Sequence, residues 1–85
     1  IGALDAAEPI LESAIAKGAG EAGVALSGLA LGRGDTRDAE LRARRAIASG
    51  VGAPAFVALA NALAAEARDD DAAEALLVAA SMAQS

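Results

Sequence analysis

Cysteine, histidine, tyrosine and tryptophan are all missing from this chain, and phenylalanine, methionine and lysine occur once each. Without cysteine there is no disulfide and no thiolate metal site, and the redox compartment cannot be read. Without histidine the usual general base is gone. The single lysine, Lys17, stands beside Gly18 at an expected helix end, where a cation simply suits the dipole. The serines have no base that the sequence could place within hydrogen-bonding reach. No P-loop or dinucleotide fingerprint occurs. These absences argue against an enzyme and give no reason to expect a cofactor.

A surplus of positive charge is missing too. The net charge is −5, which argues against general affinity for nucleic acid or for an anionic membrane. The longest stretch without a charge, Ala46 to Ala65, is long enough on paper to span a bilayer. It contains Ser49, Gly50, Gly52, Pro54 and Asn61, so its middle reads as a turn and not as part of a span. No secretory signal is visible, which favours the cytoplasm where the compartment is otherwise unmarked.

The hydrophobic fraction is high but mostly alanine, with ten leucines, four isoleucines and four valines. With 85 residues the chain makes one domain or part of one. A domain of that size buries only about 60% of its unfolded surface. An alanine methyl contributes roughly 0.8 kcal/mol on burial, against about 1.5–3 kcal/mol for a leucine. The core is therefore thin, and alanine compensates through helix propensity and close helix approach.

The spacing predicts five helices joined by short turns. The first runs from Leu4 to Lys17, with Asp5 and Glu8 at capping-box spacing and Gly18 and Gly20 as its stop. Its apolar face is Ala7, Ile10, Leu11, Ala14 and Ile15. The second runs from Glu21 to Leu31, with Leu26, Leu29 and Ala30 as its main apolar positions. Gly23 and Gly28 inside it mark either an irregular helix or a close backbone contact. Gly32 to Thr36 is a turn, and Asp38 to Ser49 is the third helix, with Ala39, Ala43, Ala46 and Ile47 inward. Gly50, Gly52 and Pro54 mark the next break. The fourth helix sets Phe56, Leu59, Ala60 and Leu63 at i, i+3, i+4 and i+7 on one face. Asp69, Asp70 and Asp71 interrupt the pattern, with Asp71 and Glu74 spaced as a capping box. The fifth helix presents Ala72, Leu76, Ala79, Ala80 and Ala83, with Leu77 at the edge. Short connections between such helices make antiparallel αα-hairpins.

The chain also repeats. AEPILESAIAKG starts at Ala7, AELRARRAIASG at Ala39 and AEALLVAASMAQ at Ala73, and the first two share Ala-Glu, Ala-Ile-Ala and Gly at one spacing. A period of this length indicates stacked helical pairs. Phe56-x2-Leu59-Ala60-x2-Leu63 resembles the aromatic-x2-Leu-Gly-x2-Tyr of tetratricopeptide repeats, and Ala72, Leu76 and Ala79 match their second-helix positions. Ala14-Ile15-x2-Gly18 followed by Leu26-Ser27 is similar to the Sel1-like pattern. In the middle repeat Gly23 stands where a large residue is usual and Ala30 replaces the usual tyrosine. Asp38-x-Glu40-Leu41-Arg42 with Gly52-Ala53-Pro54 looks instead like a HEAT-like repeat.

Both resemblances imply an all-α, right-handed solenoid of stacked hairpins, divided as a half repeat (1–18) and two repeats (19–50 and 51–85). Whether it is excerpted from a longer solenoid stays open. The tetratricopeptide resemblance implies a groove lined by first helices that binds a protein or peptide segment. Carried over by position, that groove holds Glu21, Val24, Gly28 and Leu31 with Val57, Asn61 and Ala64. A structural spacer or a self-associating bundle is the alternative, and a homo-oligomer is compatible with either. Arg33, Arg37, Arg42, Arg44 and Arg45 form a basic cluster, but Asp38 precedes Arg42 by four and Glu40 precedes Arg44 by four. That order favours a self-paired, solvated face over an anion site. The three consecutive aspartates lack the alternating ligands and the glycine of a calcium loop, so no metal is expected there.

Overall fold

A computed structural model describes residues 18–84, and among these every regular element is helical. Helix α1 covers 18–32, α2 Thr36–Ala48, α3 Ala53–Ala65 and α4 Asp69–Gln84. The first expected helix, Leu4 to Lys17, lies outside the described residues. The other four are present, with shifted edges. Residues 18–20 are already helical, so Gly18 and Gly20 belong to α1.

Three helix ends close in the same way. In each, the residue after the cap takes a left-handed φ: 81° at Gly34, 84° at Gly50 and 62° at Ala67. Its N–H and the next one reach back to the last turn. Gly34 donates to Leu31 O and Asp35 to Ala30 O; Gly50 donates to Ile47 O and Val51 to Ala46 O. Ala67 donates to Ala64 O at 3.0 Å and Arg68 to Leu63 O at 2.9 Å. These are Schellman closures, which satisfy carbonyls that the helix leaves free. The third break therefore falls at Glu66–Arg68, not at the aspartates. Asp69, Asp70 and Asp71 form the first turn of α4, where carboxylates suit the positive end of the dipole. The Asp71–Glu74 capping box does not form, because Asp71 is the third residue of the helix and bonds Arg68 instead.

The starts are as local as the stops. Asp35 caps α2 by accepting from the Asp38 N–H at 3.2 Å. Pro54 sits in the first turn of α3, where its missing N–H costs nothing.

Neighbouring helices run antiparallel. The start of α1 meets the chain leaving α2 so closely that a Cβ on Gly20 would fall 2.7 Å from Val51 Cγ2 and 2.8 Å from Ser49 Cβ. Close backbone approach thus occurs at Gly20. A Cβ on Gly23 would find only ordinary contacts, and one on Gly28 would find nothing within 4 Å. Across the middle of α1 and α2, the buried Ser27 hydroxyl donates to Ala39 O at 2.7 Å. Ala30 of α1, Ala39 of α2 and Ala62 of α3 form one buried cluster, so α3 rests against both preceding helices. A second cluster joins Ala43 of α2, Leu59, Ala60 and Leu63 of α3, and Ala72 and Ala75 of α4, with Ile47 packed on it.

The buried set consists mostly of small side chains. Ala39, Ala43, Ala46, Leu59, Ala60 and Leu63 are inside as their spacing predicts, and Phe56 and Ile47 are half-buried. Leu26, Leu29, Leu76 and Leu77 correct the expectation: all four are exposed, Leu77 by 70%. Of the same expected faces Ala30, Ala72 and Ala79 are buried, Ser27 and Ala75 join them, and Ala80 and Ala83 face out. The α2–α3–α4 contact is filled by Leu59 and Leu63 of α3 set against Ala43, Ala72 and Ala75, large side chains on one helix meeting small ones on its neighbours.

Candidate functional site: the hollow between α1 and α3

Five of the seven groove positions converge. Val24, Gly28 and Leu31 of α1 and Val57 and Asn61 of α3 line one hollow of about 160 Å³, together with Ser27, Pro54 and Ala58. Within each helix these residues recur at three- and four-residue steps, so each set lies on one face. The two faces are brought together by the alanine contact of α3 with α1 and α2. Glu21 and Ala64 are exposed and do not line the hollow.

The walls are apolar except for two groups. The Ser27 hydroxyl is spent on Ala39 O. Asn61 is exposed, and its side-chain amide makes no hydrogen bond among the described residues. It therefore keeps two donors and an acceptor for something outside. The volume is below the roughly 300–1,000 Å³ of small-molecule pockets and suits one side chain of an extended segment.

The opposite side of α3 carries a larger hollow, about 600 Å³, which the sequence did not point to as a site. Phe56, Leu59 and Leu63 form its floor, with Ala75 and Val78 from α4 and Arg44 from α2 at the rim. Read from the sequence, those three residues signal only core. A third hollow, about 430 Å³, lies along α1 and α2 over Gly20, Gly23 and Leu26, flanked by Arg42 and Arg45.

The basic cluster is largely engaged by neighbouring acids. Arg42 and Arg33 reach Asp38 at 3.1 and 3.7 Å, and Arg44 reaches Glu40 at 2.8 Å. The Arg42 and Arg44 pairs are the two read from spacing. Arg68, which the sequence left unassigned, ties the α3–α4 turn to α2: it pairs with Glu40 at 3.2 Å, Glu66 at 3.7 Å and Asp71 at 3.0 Å. The Arg44 bond holds the Glu40 carboxyl below its ordinary value, partly opposed by burial, with Arg68 adding its charge. Bonding to Asp71 raises Arg68 further above its ordinary value. Glu66 Oε1 is buried without a hydrogen-bond partner among the described residues. Also among these, no cluster of acidic side chains is arranged to hold a metal ion, and no helix is long and apolar enough to cross a membrane.

Comparison with protein-family models, with curated proteins and with solved structures finds no match to this chain.

Proposed function

We propose that this chain is a non-catalytic helical-repeat scaffold, resembling the tetratricopeptide and Sel1-like solenoids, that holds an extended peptide or protein segment against α1 and α3. One observation carries the reading: Val24, Leu31 and Val57 converge on a hollow the size of one side chain, beside the unengaged amide of Asn61. An extended peptide offers a backbone N–H and C=O to such an amide and a side chain to such a hollow. The spacing of the helices supports the repeat. The step from Thr36, which opens α2, to Asp69, which opens α4, equals the step between the left-handed residues Gly34 and Ala67.

The test is a peptide-array screen of the intact chain beside the double variant Val57→Asp, Asn61→Ala. Both positions are exposed, so the variant should keep its helical circular dichroism. Peptides captured by the parent should be lost from the variant. Equal capture by both would remove the hollow as the binding site.

A second reading rests on α4. Leu76, Leu77, Val78 and Met82 are 49%, 70%, 41% and 42% exposed, and solenoid ends need polar caps. That face suits self-association or a further repeat. Sedimentation decides: a strict monomer at high concentration would exclude self-association.

A further inference from the structure

We propose that copies of this chain stack head to tail, the exposed face of α4 on one copy receiving the exposed face of α1 on the next. The inference deepens the self-association reading of α4, on which it rests, and does not depend on peptide binding at the α1–α3 hollow.

The chain already contains one interface of this kind, where α3 meets the preceding pair of helices. On the α3 side, Ala62 clusters with Ala30 of α1 and Ala39 of α2, Leu59 clusters with Ala43 of α2, and Ala55 on the same stripe is buried. On the α2 side, Ala43 is buried and Ile47 packs alongside it. Set back by the step that carries Asp69 onto Thr36, the α3 stripe Ala55, Ala58, Leu59 and Ala62 becomes Ala22, Ala25, Leu26 and Leu29 of α1. Set forward by the same step, Ala43 and Ile47 become Leu76 and Ala80 of α4. All of these counterparts are exposed, Leu29 by 60% and Leu76 by 49%. The α1 face and the α4 face are thus the two halves of an interface whose halves meet inside the molecule. Pairing α4 with α4 would leave Leu26 and Leu29 uncovered, whereas head-to-tail contact covers both faces.

Charge agrees with the direction. Neither stripe carries a charge along its length, but Arg33 follows Leu29 by four and Asp69 precedes Ala73 by four. Inside the molecule α2 and α3 run antiparallel, and where the start of α2 nears the end of α3, Glu40 pairs with Arg68 at 3.2 Å. The same arrangement between copies sets the start of α4 against the end of α1 and brings Asp69 to Arg33. Asp69 is exposed and has no ion pair among the described residues, and Arg33 is 63% exposed, with Asp38 at 3.7 Å. Contact between two different faces builds an open, heterologous assembly.

The test uses the full chain and two variants, Leu29→Asp and Leu76→Asp, each of which spoils one face. Both positions are exposed, so circular dichroism should not change. In sedimentation velocity the parent should form species beyond the dimer as concentration rises, and each variant alone should stay monomeric. An equimolar mixture of the two should form a dimer and stop there, because one intact α4 face then meets one intact α1 face. A monomeric parent would overturn the proposal together with self-association. Association of either variant alone at the parent's strength, or a mixture that stays monomeric, would overturn head-to-tail contact and leave self-association standing. A second measurement keeps the leucines in place. Arg33→Glu should raise the dissociation constant about threefold, and adding Asp69→Arg should restore it; no restoration would overturn the alignment of the two faces.

Discussion

Replacing Ala67 by glycine should make the protein more stable, although glycine is the poorer helix former. Ala67 holds a φ of 62°, beyond the end of α3. For a residue with a Cβ that conformation costs about 1–2 kcal/mol. Glycine removes the cost but loses roughly 0.4–1 kcal/mol through the greater freedom of the unfolded chain. The net gain is about 0.5–1 kcal/mol, and for a domain this small each kcal/mol moves the midpoint by about 4–8 °C. Gly34 and Gly50 already hold the same position at the other two helix ends. The assay is urea unfolding followed by circular dichroism, with the midpoint rising at unchanged slope. The sign decides. If α3 and α4 were one continuous helix, glycine at this point would destabilise by about 1 kcal/mol. A lowered midpoint would refute the left-handed turn and the hairpin built on it.

Other consequences are as direct. Gly20→Ala should destabilise by about 1 kcal/mol, because overpacking against Val51 and Ser49 outweighs the propensity gain. Gly28→Ala, with open space around it, should stabilise by about 1 kcal/mol; matched thermal melts compare the two. Ser27→Ala removes the bond to Ala39 O and should cost about 0.5–1.5 kcal/mol in the same melts. The lowered Glu40 pKa means that its contribution to stability is present above the ordinary carboxylate value and is lost as pH falls through the folded one. Arg44→Gln should therefore flatten the acid limb of the stability profile, read as urea midpoints between pH 3 and 6.

The sequence was most legible where one residue type does one local job. Gly34, Gly50 and Gly52 marked breaks, Asp38–Arg42 and Glu40–Arg44 marked a self-paired surface, and Ala39, Ala43, Ala46, Leu59 and Leu63 marked inward faces. The third turn misled because alanine, a strong helix former, occupies its left-handed position, so Asp69–Asp71 attracted the break that belongs to Glu66–Arg68. The inward faces of α1 and α4 were legible in their alanines and not in their leucines. Leucine carries the larger transfer energy, yet Leu26, Leu29, Leu76 and Leu77 are exposed, while Ser27 and Ala75 join the expected Ala30, Ala72 and Ala79 inside. The α1–α3 hollow was reached through positions carried over from a resemblance to a repeat family, because the pairing of helices that are not consecutive has no local signature. Glu21 and Ala64 fell outside it for lack of that third dimension. The engagement of Glu40 by Arg68, 28 residues away, had no signal at all.

The stacking of three successive helices through small side chains is tested most directly by methyl contacts. Ala30, Ala39 and Ala62 come from α1, α2 and α3 and share one buried cluster. In a methyl-labelled sample, nuclear Overhauser contacts should link all three. Intact helical circular dichroism with no contact from Ala62 to Ala30 or Ala39 would contradict the stack.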